Sequence, residues 1–149
     1  MKNVCFSVLA AALLALTVQA AHAIEFKSVG AAPAILYDAP SIRGKKVFIA
    51  PRNMPLEVVF TYGEWSKVRD VLGDLSWVES KALTAKRTVV VNKQTAQIHT
   101  AADEVSPVTF TTDKGVVLEV ADPVASGWVK VRHADGQMGF IKVSDVWGV

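Results

Sequence analysis

The sequence predicts an all-β fold, built as two tandem small β-barrels that follow a cleaved signal peptide. Three observations lead to this prediction. The segment WSKVR at positions 65–69 returns as WVKVR at 128–132, and LEV at 56–58 returns at 118–120. The apolar segments are short and rich in β-branched residues, with Pro, Gly, Asn and Asp between them. Nothing after residue 23 requires a long helix.

Residues 1–23 have the pattern of a secretory signal peptide. A short positive start precedes an apolar run at residues 4–18, and small side chains mark the expected cleavage site after Ala23. The apolar run is shorter than the roughly 20 residues that span a bilayer, and Cys5 lies inside it rather than at its end. We therefore expect a periplasmic or secreted chain of residues 24–149, without a lipid anchor or an integral membrane segment.

The composition of this mature chain excludes several function classes. Removal of residues 1–23 takes away Lys2, which leaves a nearly neutral chain with a net charge of about +1, and this balance argues against a nucleic acid partner. It also removes Cys5, the only cysteine of the sequence. A thiol nucleophile and a cysteine-ligated zinc site are therefore excluded.

Motifs for catalysis and for metal binding are absent from the sequence. It contains no HExxH, GxSxG or SxxK motif and no glycine-rich phosphate loop. Its carboxylates are dispersed, and His99 and His133 have no third ligand at a recognisable spacing. We predict that the protein is not an enzyme and has no catalytic residue, no metal and no cofactor.

The first barrel is assigned to residues 24–92. Its strands are predicted at residues 34–37, 47–49, 56–60, 66–69 and 75–78. The segment DVLGD at 70–74 predicts a hairpin turn, and a short helical turn is expected at 79–83. Residues 87–91, RTVVV, are predicted to form a last strand that closes this barrel.

The second barrel is assigned to residues 93–149. Its hairpin turn is predicted at residues 133–137, where Asp135 and Gly136 form the stronger turn signal of the two copies. Residues 144–146 replace the helical turn of the first copy, and the three residues after them can supply only a short final strand.

Four motifs carry a resemblance to a known family: RNMPLEVV at 52–59, WSKVRD at 65–70, GDLSWV at 73–78 and LTAKRTVVV at 83–91. In this order they resemble bacterial SH3-like (SH3b) domains, and more specifically the exported tandem SH3-like proteins of Gram-negative bacteria. The resemblance implies two SH3-like β-barrels and a non-catalytic binding module, in a family associated with cell-wall peptides or glycans. The second copy is more divergent, with Phe140 and Ile141 at the usual Trp-Val position.

The candidate ligand-binding residues lie on the repeated strand and in the loop before its first copy. Alternation along a strand places every second side chain on the same face, so each copy presents a Trp, a Lys and an Arg together on its outer side. The candidates are Tyr62, Trp65, Lys67, Arg69, Trp128, Lys130 and Arg132. An indole beside cations can bind a sugar face or a peptide carboxylate. Alternatively, each indole packs on its own barrel wall and the basic side chains are solvated.

Two further aromatic residues, together with Tyr62, are candidates for a peptide groove. Tyr37, Tyr62 and Trp77 could line a groove for an extended peptide. In the alternative interpretation Trp77 is a core residue that follows Leu75 in its strand, and Tyr62 is the exposed one.

Two function classes remain after these exclusions. The first is a periplasmic binding module for a peptidoglycan stem peptide or for an extended peptide segment of an envelope protein. Binding at each site would be weak and would be strengthened by linking two sites. The second is a structural or interaction protein, or a regulator, that binds a periplasmic protein partner without a small ligand.

Overall fold

Short β-strands dominate the part of the chain that the structure, a computed structural model, describes, which is residues 23–149. The predicted signal peptide lies outside these residues, apart from Ala23. No helix within the described range has the length and apolar character that crossing a bilayer requires. The strands are β1 (Glu25–Val29), β2 (Ala34–Tyr37), β3 (Lys46–Ala50), β4 (Pro55–Tyr62), β5 (Trp65–Arg69), β6 (Leu75–Glu79), β7 (Leu83–Thr84), β8 (Thr88–Val91), β9 (Thr95–His99), β10 (Val108–Asp113), β11 (Val117–Ala125), β12 (Trp128–Arg132), β13 (Met138–Lys142) and β14 (Val146–Trp147).

The strands form two antiparallel sheets with the same topology. The order in the first sheet is β3-β2-β6-β5-β4-β1-β7, and in the second sheet it is β10-β9-β13-β12-β11-β8-β14. Each strand of the first order corresponds to the strand seven places later in the chain. The repeat in the sequence is therefore a repeat of the fold, and the predicted all-β class with two tandem units is confirmed.

One strand belongs to the other barrel from the one predicted. The prediction that residues 87–91 close the first barrel is wrong, because β8 pairs with β11 and β14 in the second sheet. The first sheet ends instead with β7, which pairs with β1. The physical reason is that β1, which the sequence analysis did not predict, takes the place in the first barrel that β8 takes in the second. With β1 present, the first barrel needs no further strand.

The predicted turns between β5 and β6 and between β12 and β13 are confirmed. The Asp70 amide donates a hydrogen bond to the Asp74 carbonyl at 3.1 Å, and the His133 amide donates to the Gln137 carbonyl at 2.8 Å. Each turn contains a glycine in the left-handed region, with φ of 90° and 93°. The short helical turn expected at residues 79–83 is a 3₁₀ turn at Ser80–Ala82. The second barrel also has a 3₁₀ turn, at Val143–Asp145, which overlaps the segment 144–146 that the sequence analysis gave as its replacement.

Each barrel has its own apolar core, formed by the inward side chains of its strands. The buried core residues of the first barrel are Val29, Ala34, Leu36, Ala50, Leu56, Val68 and Val78. Those of the second barrel are Val89, Val91, Ala96, Ile98, Leu118, Val129, Val131, Ile141 and Val146. Burial of each Val, Leu or Ile side chain contributes about 1.5–3 kcal/mol, so each barrel has a stabilising centre of its own.

The connection between the barrels, residues 85–87, is bound by both of them. The Ser28 hydroxyl of the first barrel donates a hydrogen bond to the Lys86 carbonyl at 2.7 Å. The Lys86 ammonium lies 3.0 Å from the Glu119 carboxylate of the second barrel, and Arg87 donates to the Gly148 carbonyl at 2.8 Å. These contacts hold the connection between two fixed surfaces.

The two barrels also contact each other directly. The rings of Phe26 and Trp147 meet edge to face. The Thr88 hydroxyl donates a hydrogen bond of 2.7 Å to the Asn53 carbonyl. Asn53 itself has a φ of 66°, a left-handed conformation that asparagine tolerates better than most residues. The tandem barrels are thus joined by packing and hydrogen bonds as well as by the chain.

Candidate ligand-binding face

Strand β5 presents one face to the core and the other to the outside. Ser66 and Val68 are buried at 4% and 0% exposure, whereas the side chains between and beside them are half-buried on the opposite side. Trp65, Lys67 and Arg69 therefore lie on one face, as the alternation predicts. We call this surface, with its neighbours on adjacent strands, the first outer face; its members are Glu57, Phe60, Tyr62, Trp65, Lys67, Arg69, Leu75, Trp77 and Glu79.

Lys67 is the central cation of the first outer face. Its cross-strand neighbours are Phe60 on β4 and Trp77 on β6. The ammonium nitrogen lies 5.8 Å from the centroid of the Trp77 ring, which is within the range of a cation–π contact. Within residues 23–149 no carboxylate oxygen lies within 4.0 Å of this nitrogen. The charge of Lys67 is therefore not neutralised by an ion pair in this part of the chain.

Aromatic side chains surround this cation. Phe60 and Trp77 meet edge to face at 6.3 Å between centroids, and Trp65 makes a similar contact with Tyr37 at 5.5 Å. Phe60 is 55% exposed and Tyr62 is 63% exposed, whereas Tyr37 is 6% exposed. The prediction that Tyr62 is exposed is confirmed. Tyr37 supports the face from below rather than lining it.

The interpretation of Trp77 as a core residue is wrong. Trp77 is half-buried on the outer side of β6, while its neighbours Ser76 and Val78 are the inward residues at 8% and 1% exposure. Leu75, the first residue of β6, also points outward and is 50% exposed. The alternation in LSWVE could have shown this, because the small Ser76 and the apolar Val78 form the inward pair.

Arg69 differs from Lys67 in that it is already paired. Its Nη1 atom donates to both carboxylate oxygens of Glu57, its cross-strand neighbour, at 3.0 Å each. At the other end of β5, Glu79 lies opposite Trp65 and pairs with Lys81 at 2.8 Å. The hydrogen bond and the charge of Glu79 raise the pKa of Lys81 above its ordinary value. The other cations near the two ends of β5, Arg69 and Lys81, are thus each paired with a carboxylate.

The second barrel repeats the row on β12 with different surroundings. Val129 and Val131 are fully buried, and Trp128, Lys130 and Arg132 lie on the outer side, as predicted. We call this surface the second outer face; its members are Asp122, Trp128, Lys130, Arg132, Met138, Phe140 and Lys142. The Arg132 guanidinium contacts the Met138 sulfur at 3.8 Å.

The central cation of the second outer face is neutralised. Lys130 lies 5.9 Å from the Phe140 centroid, which repeats the relation between Lys67 and Trp77. It also lies 3.4 Å from the carboxylate of Asp122, which occupies the cross-strand position that Phe60 has in the first barrel. The exchange of an aromatic side chain for an acid removes both apolar area and available charge.

His99 and Trp128 form the counterpart of the pair between Tyr37 and Trp65. Their ring centroids are 5.4 Å apart, and the His99 Nδ1 atom lies 3.0 Å from the Ser106 carbonyl oxygen. The ammonium nitrogen of Lys142 lies 6.0 Å from the centroid of the Trp128 ring, and Lys142 forms an ion pair with Glu104. Sequence reasoning did not identify Phe60 or Lys142 as parts of these surfaces, because strand register decides both positions.

A titratable group with a lowered pKa, Asp135, lies in the turn that joins Arg132 to Met138 of the second outer face. Hydrogen bonds from the Gln137 backbone and side chain, followed by His133, lower the pKa of Asp135 to about 2. This cluster is in the exposed turn between β12 and β13. Over residues 23–149 the structure contains no group of three His, Cys, Asp or Glu side chains that could hold a metal ion.

Comparison with known proteins places the chain in a family. Among solved structures, NlpC2 from Trichomonas vaginalis is similar at 10% identity and a TM-score of 0.39, over 85% of this chain and 49% of that chain. NlpC1 from the same organism is similar at 9% identity and a TM-score of 0.39, over 85% of this chain and 46% of that chain. The chain therefore spans about half the length of each. No curated protein matches the sequence.

The sequence profile described as bacterial SH3 domain matches residues 30–84 and 92–148, and with these two matches the chain belongs to the bacterial SH3 domain family.

Proposed function

We propose that this protein is a binding module of the bacterial envelope, which binds an extended peptide with a free carboxylate through the first outer face and does not transform it. The observation that carries this proposal is the ammonium group of Lys67, which lies among aromatic rings and has no ion-pair partner within residues 23–149. Membership of the bacterial SH3 domain family supports a binding role. The family's association with cell-wall peptides makes a peptidoglycan stem peptide the proposed ligand.

The side chains of the first outer face supply two kinds of interaction. Phe60 and Tyr62 offer exposed apolar area, and Trp65 and Trp77 offer ring faces beside them. Lys67 offers a charge that a carboxylate can neutralise. Removing a carboxylate from water is unfavourable unless it is paired, so a cation at the centre of an aromatic surface favours acidic peptides over neutral ones.

The two outer faces are not equivalent in this proposal. Asp122 already neutralises Lys130, so a carboxylate ligand would have to displace it. The candidate role of Trp128, Lys130 and Arg132 is therefore secondary, and the gain expected from two linked sites is small. The first barrel binds the ligand. The second barrel contributes mainly by packing against the first barrel.

The proposed location is the periplasm. It rests on the predicted signal peptide at residues 1–23, because the charged start, apolar run and small residues of that segment have the pattern of an exported chain. A stem peptide is accessible to a protein in that compartment.

Co-sedimentation with purified peptidoglycan sacculi over a salt series tests this function. The full chain is expressed, and the protein recovered from the periplasm is mixed with sacculi. We expect saturable pelleting that weakens as salt rises, since exposed ion pairs are screened. Lys67→Met should reduce the affinity by up to about fivefold, the range expected for an exposed ion pair.

Lys130→Met is the matched control, because it removes the same charge at the equivalent position of the second barrel. It should leave pelleting nearly unchanged. Equal losses in both variants would show that pelleting reports net charge and not a site on the first outer face. Protein that remains in the supernatant at all salt concentrations would exclude the wall ligand and favour a protein partner.

A further inference from the structure

A cleft lies between the two barrels, and Leu75 is the one member of the first outer face that lines it. Its volume is about 790 Å³. The first barrel contributes the end of β2, part of β3 and the turn between β5 and β6. The second barrel contributes β8 and the turn between β10 and β11, with Asn92, Lys114 and Gly115. Neither barrel alone encloses this space, so the cleft is a product of the tandem arrangement.

The walls of the cleft expose large apolar side chains. Val47 and Phe48 on β3 are 48% and 50% exposed, and Leu72 and Leu75 at the hairpin turn are 79% and 50% exposed. Scattered apolar residues are normal on a protein surface, but a contiguous apolar group in a concave site is typical of an interaction surface. Four such side chains around one cleft predict a partner with apolar side chains of its own.

The charged side chains of the cleft are mainly acidic. Asp38, Asp70 and Asp74 line it, and Lys114 is the cation among the lining residues. The Asp38 carboxylate accepts the Lys45 amide at 2.8 Å. Within residues 23–149 no basic side chain lies within 4.0 Å of these three carboxylates. The acids of the cleft are therefore available to a basic partner.

Strand β3 adds a backbone feature to this surface. It is the terminal strand of the first sheet and pairs with β2 alone in that order. Its other edge therefore has backbone groups that can pair with an extended chain. Val47 and Phe48 of this strand also line the cleft.

We propose that the cleft binds an extended segment of another protein in which apolar side chains stand next to Lys or Arg. The exposed apolar residues take up the apolar side chains, and the three aspartates attract the cations. The charge preference is the opposite of that of the first outer face, which binds carboxylates. This proposal does not rest on the proposed function, because Lys67, Phe60 and Trp77 do not line the cleft.

Fluorescence anisotropy with two labelled peptides tests the proposal. The probes are capped hexapeptides that alternate Leu with Lys or Leu with Glu, so that they differ only in charge. With protein made from the full chain, we expect saturable one-to-one binding of the basic peptide and affinity for the acidic one at least about tenfold lower. Asp38→Asn with Asp74→Asn should weaken binding of the basic peptide about fivefold, since each exposed ion pair contributes modestly.

Two further variants separate the cleft from general effects. Glu25→Gln with Asp103→Asn removes the same charge outside the cleft lining and should leave binding unchanged. Leu72→Ser should weaken binding of the basic peptide, and Leu72 is too exposed for its loss to unfold the barrel. Absence of binding, equal affinity for both peptides, or equal losses in the two charge variants would overturn the proposal. Self-association in analytical ultracentrifugation that Leu72→Ser abolishes would also overturn it, because the occupant would then be a second copy.

Discussion

Phe26 of the first barrel and Trp147 of the second meet edge to face, with ring centroids 4.9 Å apart and an angle of 85° between the ring planes. The Arg87 guanidinium lies 5.7 Å from the centroid of the same Phe26 ring. Phe26 is 8% exposed, so the second barrel covers an apolar side chain that would otherwise lie at the surface of the first. The contact makes the stability of each barrel depend on the other.

A double-mutant cycle on this pair should show coupling. We expect Phe26→Ala and Trp147→Ala each to lower the free energy of unfolding, and the double variant to lower it by less than the sum. The coupling should be about 0.5–1.5 kcal/mol, as for other edge-to-face pairs. Urea unfolding followed by tryptophan fluorescence and circular dichroism measures it. Strict additivity would show that the rings are not energetically in contact.

Gly139→Ala should destabilise the second barrel more than Ser76→Ala, the change at the equivalent position, destabilises the first barrel. A Cβ atom at Gly139 would lie 2.6 Å from the His99 carbonyl oxygen and would also collide with Ile98. Overpacking of this kind costs about 1–3 kcal/mol. Ser76 occupies the equivalent place on β6, so Ser76→Ala, which adds no atom, is the control. Thermal unfolding that ranks the two variants in the opposite order would contradict the prediction.

Asp135 should contribute a pH-dependent share of the stability of the turn between β12 and β13. Its folded pKa, about 2, lies below the ordinary value of 3.8. The stabilisation is therefore complete above the ordinary value and is lost as the pH falls through about 2. The difference in unfolding free energy between the wild type and Asp135→Asn should shrink between those two pH values.

The control for this pH prediction is Asp103→Asn, which is also exposed and lies in another loop. Carboxyl chemical shifts followed by NMR give the Asp135 titration directly. A midpoint near the ordinary value for aspartate would contradict the assigned hydrogen bonds from Gln137.

Tyr62→Ala should separate binding from folding. Because Tyr62 is 63% exposed, its removal should change the free energy of unfolding by no more than about 0.5 kcal/mol. If the first outer face binds peptide, pelleting with sacculi should nevertheless weaken. A matched change at Ala125, its counterpart beside Trp128, to Ser should have no effect on pelleting. Unchanged pelleting of Tyr62→Ala would remove Tyr62 from the site.

The co-facing rows on β5 and β12 could be predicted from the sequence because strand alternation depends only on spacing. The neighbours of the two central lysines could not be predicted, because strand register places Phe60 opposite Lys67 and Asp122 opposite Lys130. Strands β4 and β11 both contain register irregularities at these positions. Strand β1 was missed for a related reason. Phe26 faces the second barrel, and the hydroxyl of the fully buried Ser28 donates a hydrogen bond to the Lys86 carbonyl. The segment EFKSV therefore lacks the usual alternation of apolar and polar residues of a strand.

The cleft between the barrels could not be predicted at all. Its aspartates lie in turns, where solvated acids are the usual expectation. The arrangement of the two barrels depends on the short connection, through Lys86 and Arg87, and on the contacts of Phe26 with Trp147 and of Thr88 with Asn53. A pattern of residue types does not record that geometry.

In each barrel the first strand lies beside the last, since β1 pairs with β7 and β8 pairs with β14. Each unit therefore begins and ends at the same place on its own surface. A gene segment that encodes one unit can be copied in frame without threading the new chain through the old one. The second copy then emerges next to the first and must settle against it. A contact such as that between Phe26 and Trp147 then holds two neighbouring units of this topology together as one packed pair.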